Sequence, residues 1–276
     1  MGYKASAIEF SSDGAKIMHS ECFFESCSSD YGPAVNIEYC ECSVVQHRFC
    51  SHKCSAYYGG HHSFSRLNVY SSRSLIYVCE SSACECGNSR GSSLLSHYFG
   101  KVRVSSTNMS KNIGKDKTAL RIYSPNFEIL DFSTIESNNA SNNGIIGFYG
   151  RLTYKIEKCN ILKNFQKSTD EGVIFVYGEL TLNGCSILGD LGNGKIFYID
   201  EPSESRVTIK NCFYDNLTSY DDVPITIDNC WKTSKYNTLN LYYYAYLCDL
   251  YPMWFNEMKN NIKCSMRECF CRNGFF

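Results

Sequence analysis

A step of 26 residues governs the middle of this chain. The blocks Met109-Ser110-Lys111-Asn112, Ile135-Glu136-Ser137-Asn138, Ile161-Leu162-Lys163-Asn164, Ile187-Leu188-Gly189-Asp190 and Phe213-Tyr214-Asp215-Asn216 each begin 26 residues after the last. The same interval joins Val104, Leu130, Ile156, Leu182 and Thr208, in stretches such as Phe127-Glu128-Ile129-Leu130-Asp131-Phe132 that alternate as strands with one buried face do. Leu120 to Ile146 and Ile122 to Phe148 to Ile174 repeat it. No helical pattern lies between the blocks to make a βαβ crossover. Such a period demands a coiled ribbon of short strands, joined by turns rich in Asn, Ser, Gly and Asp and stacked coil upon coil.

Stacking at the strand spacing of about 4.8 Å lays residue i beneath residue i+26. Met109, Ile135, Ile161, Ile187 and Phe213 then form one interior column, and Cys159, Cys185 and Cys212 a second column of small buried side chains. Asn112, Asn138, Asn164, Asp190 and Asn216 recur at one turn, where side-chain amides can hydrogen-bond along the stack. Asp190 accepts but does not donate, which weakens its rung. In the first hundred residues the blocks Cys22 to Cys27, Phe49 to Cys54 and Cys79 to Cys84 continue the scheme, with cysteine in place of asparagine at the turn. These readings place an all-β parallel solenoid over residues 1–232. Residues 233–276 form a C-terminal cap or tail, in which the aromatic run Leu239 to Phe255 covers the open end.

Charge excludes the usual nucleic-acid case: 27 basic residues stand against 28 acidic ones, for a net charge of -1. No run of apolar residues is long enough for a membrane span, and the start MGYKASAIEFSSDGAK lacks the apolar core of a secretory signal. The 17 cysteines, an odd number, leave at least one thiol unpaired, and nine of them fall in the first third. His47, Cys50, His52 and Cys54 put four soft ligands close together, and Cys50, His52 and Cys54 alternate onto one face of a strand, as zinc ligands or as an interior column. The spacing of Cys79, Cys84, Cys86 and of Cys264, Cys269, Cys271 offers three ligands without a fourth, so no metal centre and no cofactor is expected. The acidic spots Asp221-Asp222, Asp170-Glu171 and Glu201 to Glu204 sit in expected turns and read as solvated loop charge. The sequons at Asn108, Asn139 and Asn216 matter only in a secretory pathway, and Asn216, as a ladder residue, is expected to stay unmodified.

The repeated blocks resemble right-handed parallel β-helix proteins of the pectin-lyase-like type, and within them the polymorphic outer membrane protein repeats of surface proteins. Those repeats pair a Gly-Gly-Ala-aliphatic motif with Phe-x-x-Asn. Phe213 to Asn216 matches the second, Ile135 to Asn138 and Ile161 to Asn164 match it with Ile for Phe, Gly32-Pro33-Ala34-Val35 looks like the first, and Gly59-Gly60-His61-His62 keeps its glycines. The resemblance implies a right-handed hand for the coil and a non-catalytic surface role in adhesion or interaction, with protein or glycan as partner. The pectin-degrading hydrolases of this class carry Asn-Thr-Asp, Gly-His-Gly and Arg-Ile-Lys motifs, none of which occurs here. A polysaccharide lyase or hydrolase is the alternative, to be recognised by paired carboxylates facing one bond.

Overall fold

The computed structural model describes residues 6–68, 74–123, 126–168, 172–192, 195–217 and 224–233, together with the backbone of Cys269–Phe270. Among these there is no helix, and the strands stack as a parallel β-solenoid of about seven turns. One stack runs through Lys16–Ser20, Ser43–His47 and the first halves of Leu75–Cys84 and Lys101–Ser110 to Arg206–Lys210 and Ile225–Asp228. The next holds the three-residue strands Phe23–Glu25, Cys50–His52, Thr134–Glu136, Asn160–Leu162 and Ser186–Leu188. A third, on the closing side of the coil, runs from Ile8–Phe10 through Val35–Cys40, Ser63–Leu67, Leu95–Tyr98 and Leu120–Tyr123 to Phe197–Ile199. Every pairing is parallel except that of Cys269–Phe270, which lies antiparallel to Phe23–Phe24 at the first coil's edge. The proposed cap over 239–255 lies outside the described residues.

Two corners of each coil are built alike. A residue in the left-handed region precedes one side chain that is buried or, at Cys27 and Cys230, partly buried against the core: Glu21, Arg48, Glu80, Ser106, Phe132, Lys158, Gly184, Asn211 and Asn229 at the first corner, and Ser26, Lys53, Glu85, Lys111, Ser137, Lys163 and Gly189 at the second, with φ between 47° and 67°. Such a φ costs most residues about 1 kcal/mol. It persists because the neighbouring coil satisfies the backbone, as where the Lys111, Ser137 and Lys163 N–H groups donate to the Glu136, Leu162 and Leu188 carbonyls.

At the second corner the side-chain oxygens of Asn112, Asn138, Asn164 and Asp190 form a continuous rail. Asn112 Nδ2 and backbone N donate to Asn138 Oδ1 (2.9 and 3.0 Å), Asn138 likewise to Asn164 Oδ1 (3.0 and 3.1 Å), and Asn164 to Asp190 Oδ1 (2.9 and 2.8 Å). Each amide also donates back to the preceding coil, at the Ala83, Met109 and Ile135 carbonyls. Asp190 Oδ2 is buried with no partner among the described residues, and burial holds its carboxyl well above the usual range. Asn216 does not join the rail. It is exposed, and Asp215 instead accepts from the Gly189 N–H (2.7 Å). Toward the N-terminus the rail meets Cys86, whose N–H donates to Asn112 Oδ1 (2.9 Å). The third cysteine in this position is thus Cys86, not Cys84, because Cys50 pairs Ser82 and this coil is 32 residues long.

The first corner carries Ser81, Thr107, Ser133, Cys159, Cys185, Cys212 and Cys230, each donating to the carbonyl two residues earlier. Cys159, Cys185 and Cys212 are fully buried and serve as weak hydroxyl equivalents rather than as inert hydrophobes. Met109, Ile135, Ile161 and Ile187 are in register and fully buried, each contributing about 2 kcal/mol by burial. Phe213 is displaced from this column: Ile187 pairs Tyr214, and Phe213 lies half-buried against Trp231. Likewise Leu182 pairs Ile209 rather than Thr208, and Ile174 pairs Ile146 rather than Phe148. The slip has a local source. Ile174 and Phe197 pair 23 residues apart, Glu179 and Arg206 27 apart, so the turn after Ile199 takes in four extra residues and sets Arg206–Lys210 and Phe213–Tyr214 off by one relative to a 26-residue coil. The 28-residue step from Ile146 to Ile174 arises upstream and is made up by Leu152 and Gly178, which pair 26 apart.

Candidate ligand-binding face

Aromatic side chains at the closing edge of each coil stack outside the solenoid. Nine rings follow one another, Tyr57, Tyr58, Tyr31, Phe64, Tyr98, Tyr123, Tyr149, Phe175 and Tyr198, with centroids 4.7 to 6.1 Å apart. Tyr31, Tyr57, Tyr58 and Tyr123 are exposed and Tyr98, Tyr149 and Tyr198 half-buried, while Phe64 and Phe175 lie beneath them. Two cations enter the strip. The Arg121 guanidinium lies 5.8 Å from the Tyr98 centroid and 5.2 Å from that of Tyr149, and Lys117 Nζ is 4.4 Å from the Phe175 centroid. Lys117 is fully buried and crosses Gly147, where an added Cβ would meet its side chain at 2.8 Å. Arg103, Arg151 and Arg206 pair with Asp131, Glu201 and Glu179, whereas Arg121 has no carboxylate partner among the described residues and its buried Nε has no acceptor. At the strip's N-terminal end an open groove of about 430 Å³, lined by Asp30, Tyr57, Asn88 and Arg90, adjoins it.

Inside the solenoid, one coil breaks the apolar pattern. His19, Gln46, Val78, Val104 and Leu130 share a column, as do Phe24, Ser51, Ala83 and Met109, and Ile37, Ser65, His97 and Ile122. Residues 43–67 therefore turn Gln46, Ser51, Ser63 and Ser65 inward, with His62 among them and His19 and His97 on either side. His62 stacks on Phe49 (3.9 Å, 7°) and donates from Nε2 to Gln46 Oε1 (3.1 Å), leaving Nδ1 to accept from Ser51. Gln46 Nε2 in turn donates to Ser63 (2.9 Å). Burial lowers His19 and His61 to about 4 and His97 to about 3, and pushes His62 well below the usual range, helped by His19 and His97. The linked Ser51, His62 and Gln46 have the residue types of a nucleophile relay, but all three are fully buried, out of reach of a substrate.

The remaining sequence candidates separate. Lys53, in the left-handed region, turns Cys54 into the interior, while Cys50 lies against Phe23 outside and His52 lies outside between Glu25 (3.8 Å) and Glu85 (3.3 Å), so Cys50, His52 and Cys54 do not share a face. His47 instead meets Glu80 (3.2 Å). Among the described residues no three His, Cys, Asp or Glu side chains converge as metal ligands. Among the described residues Cys40, Cys42, Cys54, Cys79, Cys86, Cys159, Cys185, Cys212 and Cys230 carry free thiols. Glu201 and Glu204 both turn to Arg151 on the surface, while Asp170, Glu171, Asp221 and Asp222 lie outside the described residues. Among the described residues no helix is long and apolar enough to cross a membrane. The aromatic strip was not singled out from the sequence, although Tyr123, Tyr149 and Phe175 follow one another at the repeat's own interval of 26.

No protein-family model, curated protein or solved structure matches this chain. What the geometry establishes is its architecture: the chain is a parallel β-solenoid with about 26 residues between turns.

Proposed function

We propose that this solenoid is a non-catalytic interaction scaffold that holds an acidic glycan chain along the aromatic strip. The observation that carries the reading is Arg121, a guanidinium without a carboxylate partner among the described residues, set between the rings of Tyr98 and Tyr149. The stacked rings turn their edges rather than their faces to a ligand lying along the strip and meet the C–H groups of a sugar there, the tyrosine hydroxyls supply donors and acceptors, and Arg121 meets a carboxylate or sulfate in the bidentate geometry it favours. A chain of repeating sugars suits a face that repeats with every coil. The resemblance to surface β-helix repeat proteins supports the same reading and adds adhesion as its setting, at a cell surface. A protein ligand would favour a contiguous apolar core and fewer free charges.

The test is calorimetric titration of the full chain with oligogalacturonate and with a neutral oligosaccharide of equal length. Binding of the acidic chain is expected to weaken about tenfold in Tyr123→Ala and in Arg121→Gln, about 1.4 kcal/mol each. Arg121→Gln is also expected to lose most of the dependence on salt. Equal binding by both variants, or none by the parent chain, overturns the proposal. New chain ends released from the oligosaccharide would move the reading to a lyase or hydrolase.

A further inference from the structure

The corner that joins strand Val35–Cys40 to strand Ser43–His47 differs from its counterparts. Later coils turn near this point at glycine, Gly100, Gly150 and Gly178, all at positive φ. Here Tyr39 takes the left-handed conformation (φ 54°), and the pairing of Val35–Cys40 with Ser63–Leu67 shifts by one residue between Glu38 and Cys40. Cys40 and Cys42, two residues apart, face the same side of this corner, and the turn between them brings their sulfurs into contact. The intervening Glu41 is clamped at both ends: its N–H donates to Asp13 Oδ1 (2.8 Å), and its carbonyl accepts from the Gly14 N–H (2.8 Å). Cys40 and Cys42 are buried, and their sulfurs lie 2.7 Å apart. That is about 0.7 Å beyond a bonded pair.

We propose that Cys40 and Cys42 are an oxidation site, a Cys-x-Cys couple that interconverts between two thiols and one disulfide without rearrangement of the coil. The oxidant is a small peroxide, which reaches the pair from the Cys42 side, where 3% of that residue is exposed. Cys40 ionises with the Cys42 S–H donating to it. The thiolate attacks hydrogen peroxide, the O–O bond breaks, a sulfenic acid forms on Cys40, and hydroxide leaves to take up the released proton as water. The Cys42 sulfur then displaces the sulfenic hydroxyl, which departs with the Cys42 proton as a second water. Two thiols and one peroxide thus give one disulfide and two waters, the peroxide accepting both electrons. Burial raises both thiols above their ordinary range, so the reaction speeds up as pH rises.

The experiment exposes the folded full chain to hydrogen peroxide, traps the remaining thiols with an alkylating agent in denaturant and maps the bridges by mass. A bridge between Cys40 and Cys42 is expected to form about tenfold faster than any other, because the pair is already oriented, with an unchanged far-ultraviolet circular dichroism spectrum. In Cys42→Ser, Cys40 is expected to pass the sulfenic stage and accumulate as sulfinic acid. The wild-type map stands even if that variant folds poorly. Both thiols alkylated after other cysteines have oxidised, a different bridge forming first, or bridging only in denaturant would each overturn the proposal.

Discussion

Four buried histidines make the first coils sensitive to acid. His19, His61, His62 and His97 are held neutral, with lowered values of about 4 for His19 and His61 and about 3 for His97. In the unfolded chain each binds a proton near pH 6.5, so between that value and the folded one the unfolded state carries more protons. Stability contributed by the neutral rings is complete above pH 6.5 and is lost as pH falls toward 4. At pH 5 each ring has given up about 2 kcal/mol, at about 1.4 kcal/mol per pKa unit, and the four together about 8. That equals a large share of the roughly 5–15 kcal/mol that holds a domain together. Coils contact only their neighbours, so the loss falls on residues 16 to 98 and not on the stack as a whole. Urea unfolding at pH 7, 6 and 5 with hydrogen exchange followed coil by coil measures this. Amides before residue 98 are expected to lose protection first, and His97→Ile, which restores the apolar column of Ile37 and Ile122, to recover about 2 kcal/mol at pH 5. Unfolding midpoints independent of pH over that range, or protection lost first beyond Leu130, would refute the reasoning.

The corner rail gives two further expectations. Asn138→Ala removes the acceptor for the Asn112 N–H and amide and the donor to the Met109 carbonyl, so it should cost about 3 kcal/mol in urea unfolding at neutral pH. Asp190→Asn should stabilise by about 1 kcal/mol, because an amide there can donate to the Ile161 carbonyl as its predecessors do to theirs. The gain should grow with pH: the buried Asp190 carboxyl has a raised value and costs more to keep as pH climbs above the unfolded carboxylate's, while asparagine does not titrate. A gain that shrinks with pH would contradict a raised Asp190 carboxyl.

The fold was legible because its period is carried by residues that cannot be exchanged freely. An interior column rejects polar groups and a rail of amides rejects apolar ones, so Met109 to Ile187 and Asn112 to Asp190 mark the coil in the sequence itself. The corners were not legible in the same way. Their left-handed residues are mostly Lys, Ser, Glu and Arg, with the expected Gly or Asn only at Gly184, Gly189, Asn211 and Asn229, since coil-to-coil hydrogen bonding and not intrinsic preference imposes the conformation at most of them. That concealed how Lys53 sends Cys54 inward, and how a lengthened turn after Ile199 displaces Phe213 and Asn216. Cysteine at the first corner read as a hydrophobe because its weak S–H donation is visible only beside Ser81, Thr107 and Ser133. The aromatic strip escaped notice because aromatic residues on strands are common, and Arg121 gains meaning only from the two rings that flank it and from lacking a carboxylate partner among the described residues.

The most direct measurement is the affinity of the full chain for oligogalacturonates of increasing length. If the chain lies along the strip, affinity should climb with each added sugar until the oligosaccharide spans Tyr98 to Tyr198, and Arg121→Gln should flatten the climb. An affinity independent of length, or a climb untouched by that substitution, would contradict a glycan held along the coils.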